Sequence, residues 1–247
     1  MSDIWLFVGG LFLAGAAIIA VFGRRAGGLA GQAELWAYFR SEFLIVAAVL
    51  VPAALHPSAI VVLVAAAVLR FGWEIRRASA RRAVPDPALD WAFFAAVVLA
   101  AGALMAVATL PQGPRLLVLM FVCTEVQDAL AFLSGRIFGR THFLPRLSPR
   151  KTLEGTIGGV LGGLIAGSAF AHHYLQWDWA QSLSAAGVCT LGGIAGDLLP
   201  SAYKRHVGIK DFQPVHRLHG GLLDVYDSLV FCAPCMLAWL WLPARAA

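Results

Sequence analysis

Long apolar runs, each second one followed by a cluster of basic residues, constrain this chain more than any other feature. Runs over 4–22, 43–55, 58–72, 91–110, 116–133, 156–175, 182–200 and 226–242 read as membrane spans. Several suit a helix crossing the hydrocarbon core, which takes about 20 residues, whereas a buried strand needs only a few. A soluble α/β protein with buried strands is thereby excluded. Of the 247 residues, 60% are hydrophobic and only 13% charged, and 25 glycines offer small-residue faces for close helix contact. The expected fold class is all-α: a polytopic integral membrane protein with about eight transmembrane helices, six or seven being the alternatives. The second and third runs are short and separated only by His56 and Pro57, which predicts a tight hairpin or a broken, partly re-entrant element.

Charge sorts onto one side of these spans. Arg24, Arg25 and Arg40 follow the first; Arg70, Arg76, Arg77, Arg81 and Arg82 the third; Arg136, Arg140, Arg146, Arg150 and Lys151 the fifth; Lys204, Arg205, Lys210 and Arg217 the seventh. Opposite loops hold little beyond Arg115 and Asp178. The positive-inside rule then puts both termini outside and the four basic loops in the cytoplasm. A surplus of 19 Lys and Arg over 14 Asp and Glu therefore reports loops and anionic headgroups, and no nucleic acid is expected as a partner. Met1 to Phe22 has Asp3 in place of a basic start and leads into further spans, so it reads as a retained first helix. Cys232 and Cys235 form a lone CxxC in helix-like surroundings, favouring packing thiols over a redox or zinc site.

The stretch from Ser201 to Asp227 crowds bases, carboxylates, histidines and paired glycines between two apolar runs. Asp197 precedes it at the cytoplasmic end of the seventh span; Asp224 and Asp227, three apart, share a helical face at the start of the eighth. Carboxylates at helix ends suit Mg²⁺, which keeps waters and takes substrate phosphates as further ligands; solvated helix caps are the plainer reading of the same residues. Lys204, Arg205 and Lys210 supply positive charge for a polyphosphate, and Gly220-Gly221 permits close backbone approach to a bound group. His219 suits phosphate orientation or proton transfer. Together these residues point to metal-assisted phosphoryl or nucleotidyl transfer, with phosphatase and headgroup-transferase chemistry equally compatible. A second cluster follows in the fifth span, where Glu125, Gln127 and Asp128 interrupt an apolar helix. After it, Ser148-Pro149-Arg150-Lys151-Thr152 leads through Glu154 and Gly155 into the sixth span, a polar turn whose Ser148 and Thr152 also fit simple capping. Polar chemistry confined to one face, without an internal repeat, argues against a transporter.

At these positions the chain closely resembles the phosphatidate cytidylyltransferases, or CDP-diacylglycerol synthases. Ser201, Lys204-Arg205, Lys210-Asp211, His219-Gly220-Gly221, Asp224 and Asp227 follow that family's C-terminal signature, after Gly196-Asp197-Leu198. Upstream, Asp128, Ala131, Phe132, Gly135, Arg136 and Gly139 and the run from Ser148 to Gly155 match two further elements, so the similarity covers roughly 120–230. The resemblance implies cytidylyl transfer from CTP to phosphatidic acid, giving CDP-diacylglycerol and pyrophosphate at a bacterial-type inner membrane, with the active site facing the cytoplasm. It implies catalytic roles for Asp197, Lys204, Arg205, Lys210, Asp211, His219, Asp224 and Asp227. Asp197, Asp224 and Asp227 would hold Mg²⁺, another divalent or an additional monovalent cation being left open, and Asp128, Ser148, Lys151, Thr152, Gly220 and Gly221 would bind nucleotide or headgroup. The expected organisation is an N-terminal transmembrane region over 1–110 and a catalytic one over 111–247. Implied partners are CTP, phosphatidic acid or a related lipid phosphate, and membrane lipids, with a homodimer allowed.

The chain departs from the family pattern in three places. Phe132 replaces a tyrosine, Arg217-Leu218 stands where Pro-Gly precedes His-Gly-Gly, and Val225 replaces an arginine between the last two carboxylates. Replacing Arg with Val removes a cation and five donors, which Arg217 is placed to restore from another backbone position. The alternatives are accordingly a paralogue using another lipid phosphate or headgroup, or a catalytically weakened lipid-binding membrane protein.

Overall fold

A computed structural model describes residues 2–22, 28–82, 84–214 and 220–242. Among them are eight helices and no strand: α1 (Ser2–Phe22), α2 (Gly28–Leu55), α3 (Pro57–Ser79), α4 (Pro87–Ala108), α5 (Gly113–Phe138), α6 (Leu153–Tyr174), α7 (Trp179–Val207) and α8 (Leu222–Leu240). The protein is an all-α, polytopic membrane protein. Seven helices are long and apolar enough to cross a membrane, and in α1 the apolar stretch Leu6–Val21 is shorter.

The short second span expected over 43–55 is the C-terminal half of a 28-residue helix, α2. Gln32, Arg40 and Ser41 dilute the hydropathy of its first half, but such residues cost an α-helix only tenths of a kcal/mol, ~0.7 at most. The helix runs on through Pro52, and only His56 separates it from α3, which starts on Pro57. Proline at the first helical position forfeits an N–H that has no helical partner anyway. The expected break is thus a single-residue joint between two full-length helices.

The chain divides into two compact units, Met1–Ala59 and Ile60–Ala247. Within the first, α1 lies against α2 through Phe12, whose ring meets Phe39 and Phe43 edge-on at 5.6 and 5.0 Å. Within the second, α5 and α6 form the most extensive helix pair, followed by α7 and α8. Glycines explain the closeness. A Cβ on Gly159 would sit 2.6 Å from the Gln127 carbonyl oxygen, and one on Gly155 2.7 Å from that of Ala131. The backbones of α5 and α6 touch where any side chain would hold them apart, and without a hydrophobic driving force between helices in lipid such contact is a main source of association.

The same device sets α7 on α8 and on α5. A Cβ on Gly196 would meet the Asp227 carbonyl oxygen at 2.9 Å and the Ser228 Cα at 3.1 Å, and one on Gly193 would meet Thr124 at 2.9 Å. Candidate residues Asp197 and Asp227 sit on either side of the first contact, and Asp128 lies one turn beyond Thr124. Close packing thus brings three chain-distant carboxylates to one end of the bundle.

Candidate active site

Helix α7 carries Asp197 and Lys204 two turns apart near its C-terminal end. Pro200 lies between them and has no N–H, so the Gly196 carbonyl loses its helical donor beside Asp197. The helix ends in a left-handed turn at Gly208, φ 82°, where the Ile209 N–H returns to the Lys204 carbonyl at 2.9 Å. Helix α8 begins after Gly221 and presents Asp224 and Asp227 from its first two turns.

Asp224 accepts three donors from the protein. Its Oδ1 accepts from Lys204 Nζ at 2.5 Å, while Oδ2 accepts the backbone N–H groups of Phe212 and Gly221, both at 2.8 Å. The Gly221 contact is one arm of a capping box, in which the third helical residue reaches back to the cap. Both partners of the ion pair are enclosed, the Lys204 side chain being 8% and that of Asp224 10% exposed. Gly220 and Gly221 serve this arrangement: a Cβ on Gly220 would collide with the Asp224 carboxylate, and one on Gly221 with Glu74 and Phe212.

Asp197 and Asp227 stand differently. Asp197, half-buried, pairs with Lys151, which arrives from the loop before α6. Asp227 is buried and accepts from its neighbour Ser228 through the backbone N–H at 2.7 Å. It lies within electrostatic range of Asp197, Lys204 and Asp128. The six groups Asp128, Lys151, Asp197, Lys204, Asp224 and Asp227 therefore form one polar cluster drawn from α5, the α5–α6 loop, α7 and α8.

The loop carrying Lys151 is held at its base. Glu154 Oε2 accepts the Arg140 and Thr141 N–H groups at 3.1 and 3.2 Å, its Oε1 accepts the Thr141 hydroxyl at 2.8 Å, and an antiparallel bridge joins His142 to Thr152. Thr152 is buried and caps α6, its Oγ1 accepting from Gly155 N at 3.2 Å. Ser148 closes the preceding turn through backbone bonds, donating to the Leu144 carbonyl and accepting from Lys151 N.

Other sequence candidates stand apart from the cluster. Arg205 donates to the carbonyls of Leu147 and Ile209 at 3.2 and 3.0 Å, tying the Lys151 loop to the end of α7. Lys210 and Asp211 face each other at 4.0 Å on the exposed surface. His219 and Arg217 lie outside the described residues. Cys123, Cys189 and Cys232 are buried in α5, α7 and α8 as free thiols, and Cys235 is exposed.

Two carboxylates outside every motif also bear on the site. Glu74 in α3 is fully buried and accepts from Leu222 N and Leu223 N at the start of α8. Asp90 in α4 accepts the Tyr203 hydroxyl at 2.7 Å, next to Lys204, and also the Ser79 hydroxyl. Neither lies inside an apolar run: Glu74 stands just past the run 58–72, between Arg70 and Arg76, and Asp90 in the first turn of α4, just before the run 91–110.

The donor set is compatible with Mg²⁺ in a limited sense. Among the described residues no group of three or more His, Cys, Asp or Glu is brought together to hold a metal ion. Mg²⁺ commonly takes only one or two carboxylates, the rest being waters and substrate phosphates. Asp197 and Asp227 would be two such carboxylates; Asp224 has three protein donors already.

A model of the cytidylyltransferase family matches residues 6–242, almost the whole chain. The chain belongs to the cytidylyltransferase family. Among curated proteins, a phosphatidate cytidylyltransferase of Aquifex aeolicus is 42% identical over 109 residues, covering 44% of this chain and 40% of that one. Another, from Synechocystis, is 40% identical over 126 residues, 50% of this chain and 42% of that one. The uncharacterized protein YnbB of Escherichia coli is 39% identical over 136 residues, 55% of this chain and 46% of that one. The matched stretches thus span somewhat under half the length of these relatives.

Proposed function

We propose that this protein transfers a cytidylyl group from CTP to phosphatidic acid at the membrane surface. The observation carrying the reading is the cluster itself: carboxylates and lysines from four segments converge at one end of the bundle, and relatives that share its sequence are named phosphatidate cytidylyltransferases. An oxygen of the lipid phosphate attacks the α-phosphorus of CTP; a new oxygen–phosphorus bond forms, the bond to the β-phosphate oxygen breaks, and pyrophosphate leaves.

Such a transfer needs positioning and compensation of charge more than covalent help from the protein. Asp197 and Asp227 would hold Mg²⁺, which neutralises charge on the triphosphate and the departing pyrophosphate. Lys151, on a loop anchored by Glu154 and Arg205, would turn from Asp197 toward phosphate oxygens. Lys204 keeps positive charge at the floor of the cluster while Asp224 fixes its place. The reading further places the site on the cytoplasmic side of a bacterial-type inner membrane, where the four basic loops are expected and CTP is available.

The test is purified protein with labelled CTP and a panel of lipid phosphates in defined vesicles, with and without Mg²⁺, beside D197N and D227N. Metal-dependent CDP-lipid and pyrophosphate from phosphatidic acid, lost in both variants, is the expected result. Product from a different lipid phosphate alone would move the assignment to a divergent paralogue, as the Val225 departure allows. No nucleotide-dependent product with any lipid would refute the enzymatic reading.

A further inference from the structure

Glu74 is the fully buried carboxylate of α3, 148 residues before the helix start it touches. Its Oε1 accepts from Leu222 N at 2.8 Å and from Arg70 Nε at 2.8 Å, and its Oε2 accepts from Leu223 N at 3.1 Å. The first turn of a helix leaves backbone N–H groups without helical partners and concentrates positive charge there. At α8 those groups are divided between two carboxylates: Gly221 N goes to Asp224, and Leu222 and Leu223 go to Glu74.

The grip extends backwards along the chain. Arg70 donates to the Gln213 carbonyl at 3.4 Å, and Arg81 to the Gln213 side-chain oxygen at 3.3 Å. The basic end of α3 and the turn after it thus hold Gln213 as well as the first turn of α8. Gly221 completes the fit, because a Cβ there would stand 2.4 Å from Glu74 Oε2. Asp224 follows Leu223 directly, and about one further turn brings Asp227.

We propose that Glu74 is a positioning residue for the cytidylyl-transfer site, setting the axial place of α8 and with it the places of Asp224 and Asp227 relative to Asp197. The inference rests on the proposed function for its kinetic part. Glu74 is enclosed and acts through two backbone amides, so it has no role as acid, base or ligand. A 1 Å misplacement of reacting groups costs on the order of 10²-fold in rate, which makes the anchor a rate determinant without substrate contact.

Glu74→Gln tests this. It keeps the volume of the side chain but turns an acceptor oxygen into an NH₂ facing a backbone N–H, whichever way the amide is set. Glu74→Asp retains the charge and both acceptors on a shorter stem. Both are compared with wild type in lipid nanodiscs by hydrogen exchange at single amides and by kcat and KM for CTP with phosphatidic acid. In E74Q the Leu222 and Leu223 amides should exchange at least about tenfold faster while α5 amides are unchanged. Turnover should fall by about 10- to 100-fold at a nearly constant KM for CTP. E74D should recover part of both.

Unchanged amides in E74Q would overturn the proposal, as would faster exchange spread evenly over α3–α8 in both variants. Full turnover in E74Q despite exposed amides would overturn it too. If wild-type protein makes no CDP-lipid, the functional reading falls, and the two amides still decide whether Glu74 sets the start of α8.

Discussion

Replacing Asp224 by alanine should destabilise the protein before it informs on metal binding. The family resemblance implies a Mg²⁺ role for Asp224, whose oxygens also meet Lys204, Phe212 N and Gly221 N. Asp224→Ala removes the counter-ion of a lysine whose side chain is 8% exposed. Breaking a buried pair costs about 3–5 kcal/mol, and the lower end applies here because Asp227 remains near Lys204. Loss of the cap at Gly221 adds about 1 kcal/mol. The expected loss is thus about 4 kcal/mol, a large share of the stability of a typical domain.

Lys204→Met should cost less, about 2 kcal/mol, since Asp224 keeps its two backbone donors. The double variant K204M/D224A should then cost less than the sum of the singles by about 2 kcal/mol. Titration with SDS in mixed micelles, followed by tryptophan fluorescence, reads all four proteins. The reasoning fails if D224A unfolds within about 0.5 kcal/mol of wild type. Such a protein, if also devoid of Mg²⁺-dependent turnover, would return Asp224 to the role of metal ligand.

Three other expectations follow from the same geometry. D197N and D227N should lower turnover by at least about 10²-fold in the labelled-CTP assay; D197N, at the half-buried pair with Lys151, should also leave thermal unfolding in detergent nearly unchanged. Gly159→Ala should destabilise by about 1–3 kcal/mol, because its Cβ would stand 2.6 Å from a backbone oxygen of α5, while Gly102→Ala, with nothing within 4 Å, should be neutral or gain up to about 1 kcal/mol; paired thermal melts check the contrast. Glu154→Gln should accelerate exchange of the Arg140 and Thr141 amides and lower turnover by about tenfold, as the base of the Lys151 loop comes loose.

The helices were legible because lipid demands long apolar segments with internally satisfied backbones, so hydropathy alone locates them. Where hydropathy and helix formation part company, as in the first half of α2, the pattern misplaced the boundary. Within the site, sequence order identified Asp197, Lys204, Asp224 and Asp227 as a set but could not sort them. A metal ligand and a helix cap are both carboxylates at a helix end; the difference lies in whether Phe212 N and Lys204 Nζ happen to meet the oxygens, which is a matter of tertiary approach.

Glu74 and Asp90 were illegible for the same reason, since no local spacing reports a partner more than 100 residues away. The paired glycines carry a related lesson. Gly220-Gly221 suggested backbone approach to a substrate, and the volume a side chain would need there is taken by Asp224, Glu74 and Phe212. The dense polar stretch is therefore two things at once. On the proposed function, part of it would face the reaction, and part neutralises and caps the helix ends beside it. A carboxylate has about four lone-pair sites, and Asp224 gives three of them to the protein, so Asp197 and Asp227 would offer a cation more than Asp224 does, and Mg²⁺ held there would draw on the triphosphate to complete its shell.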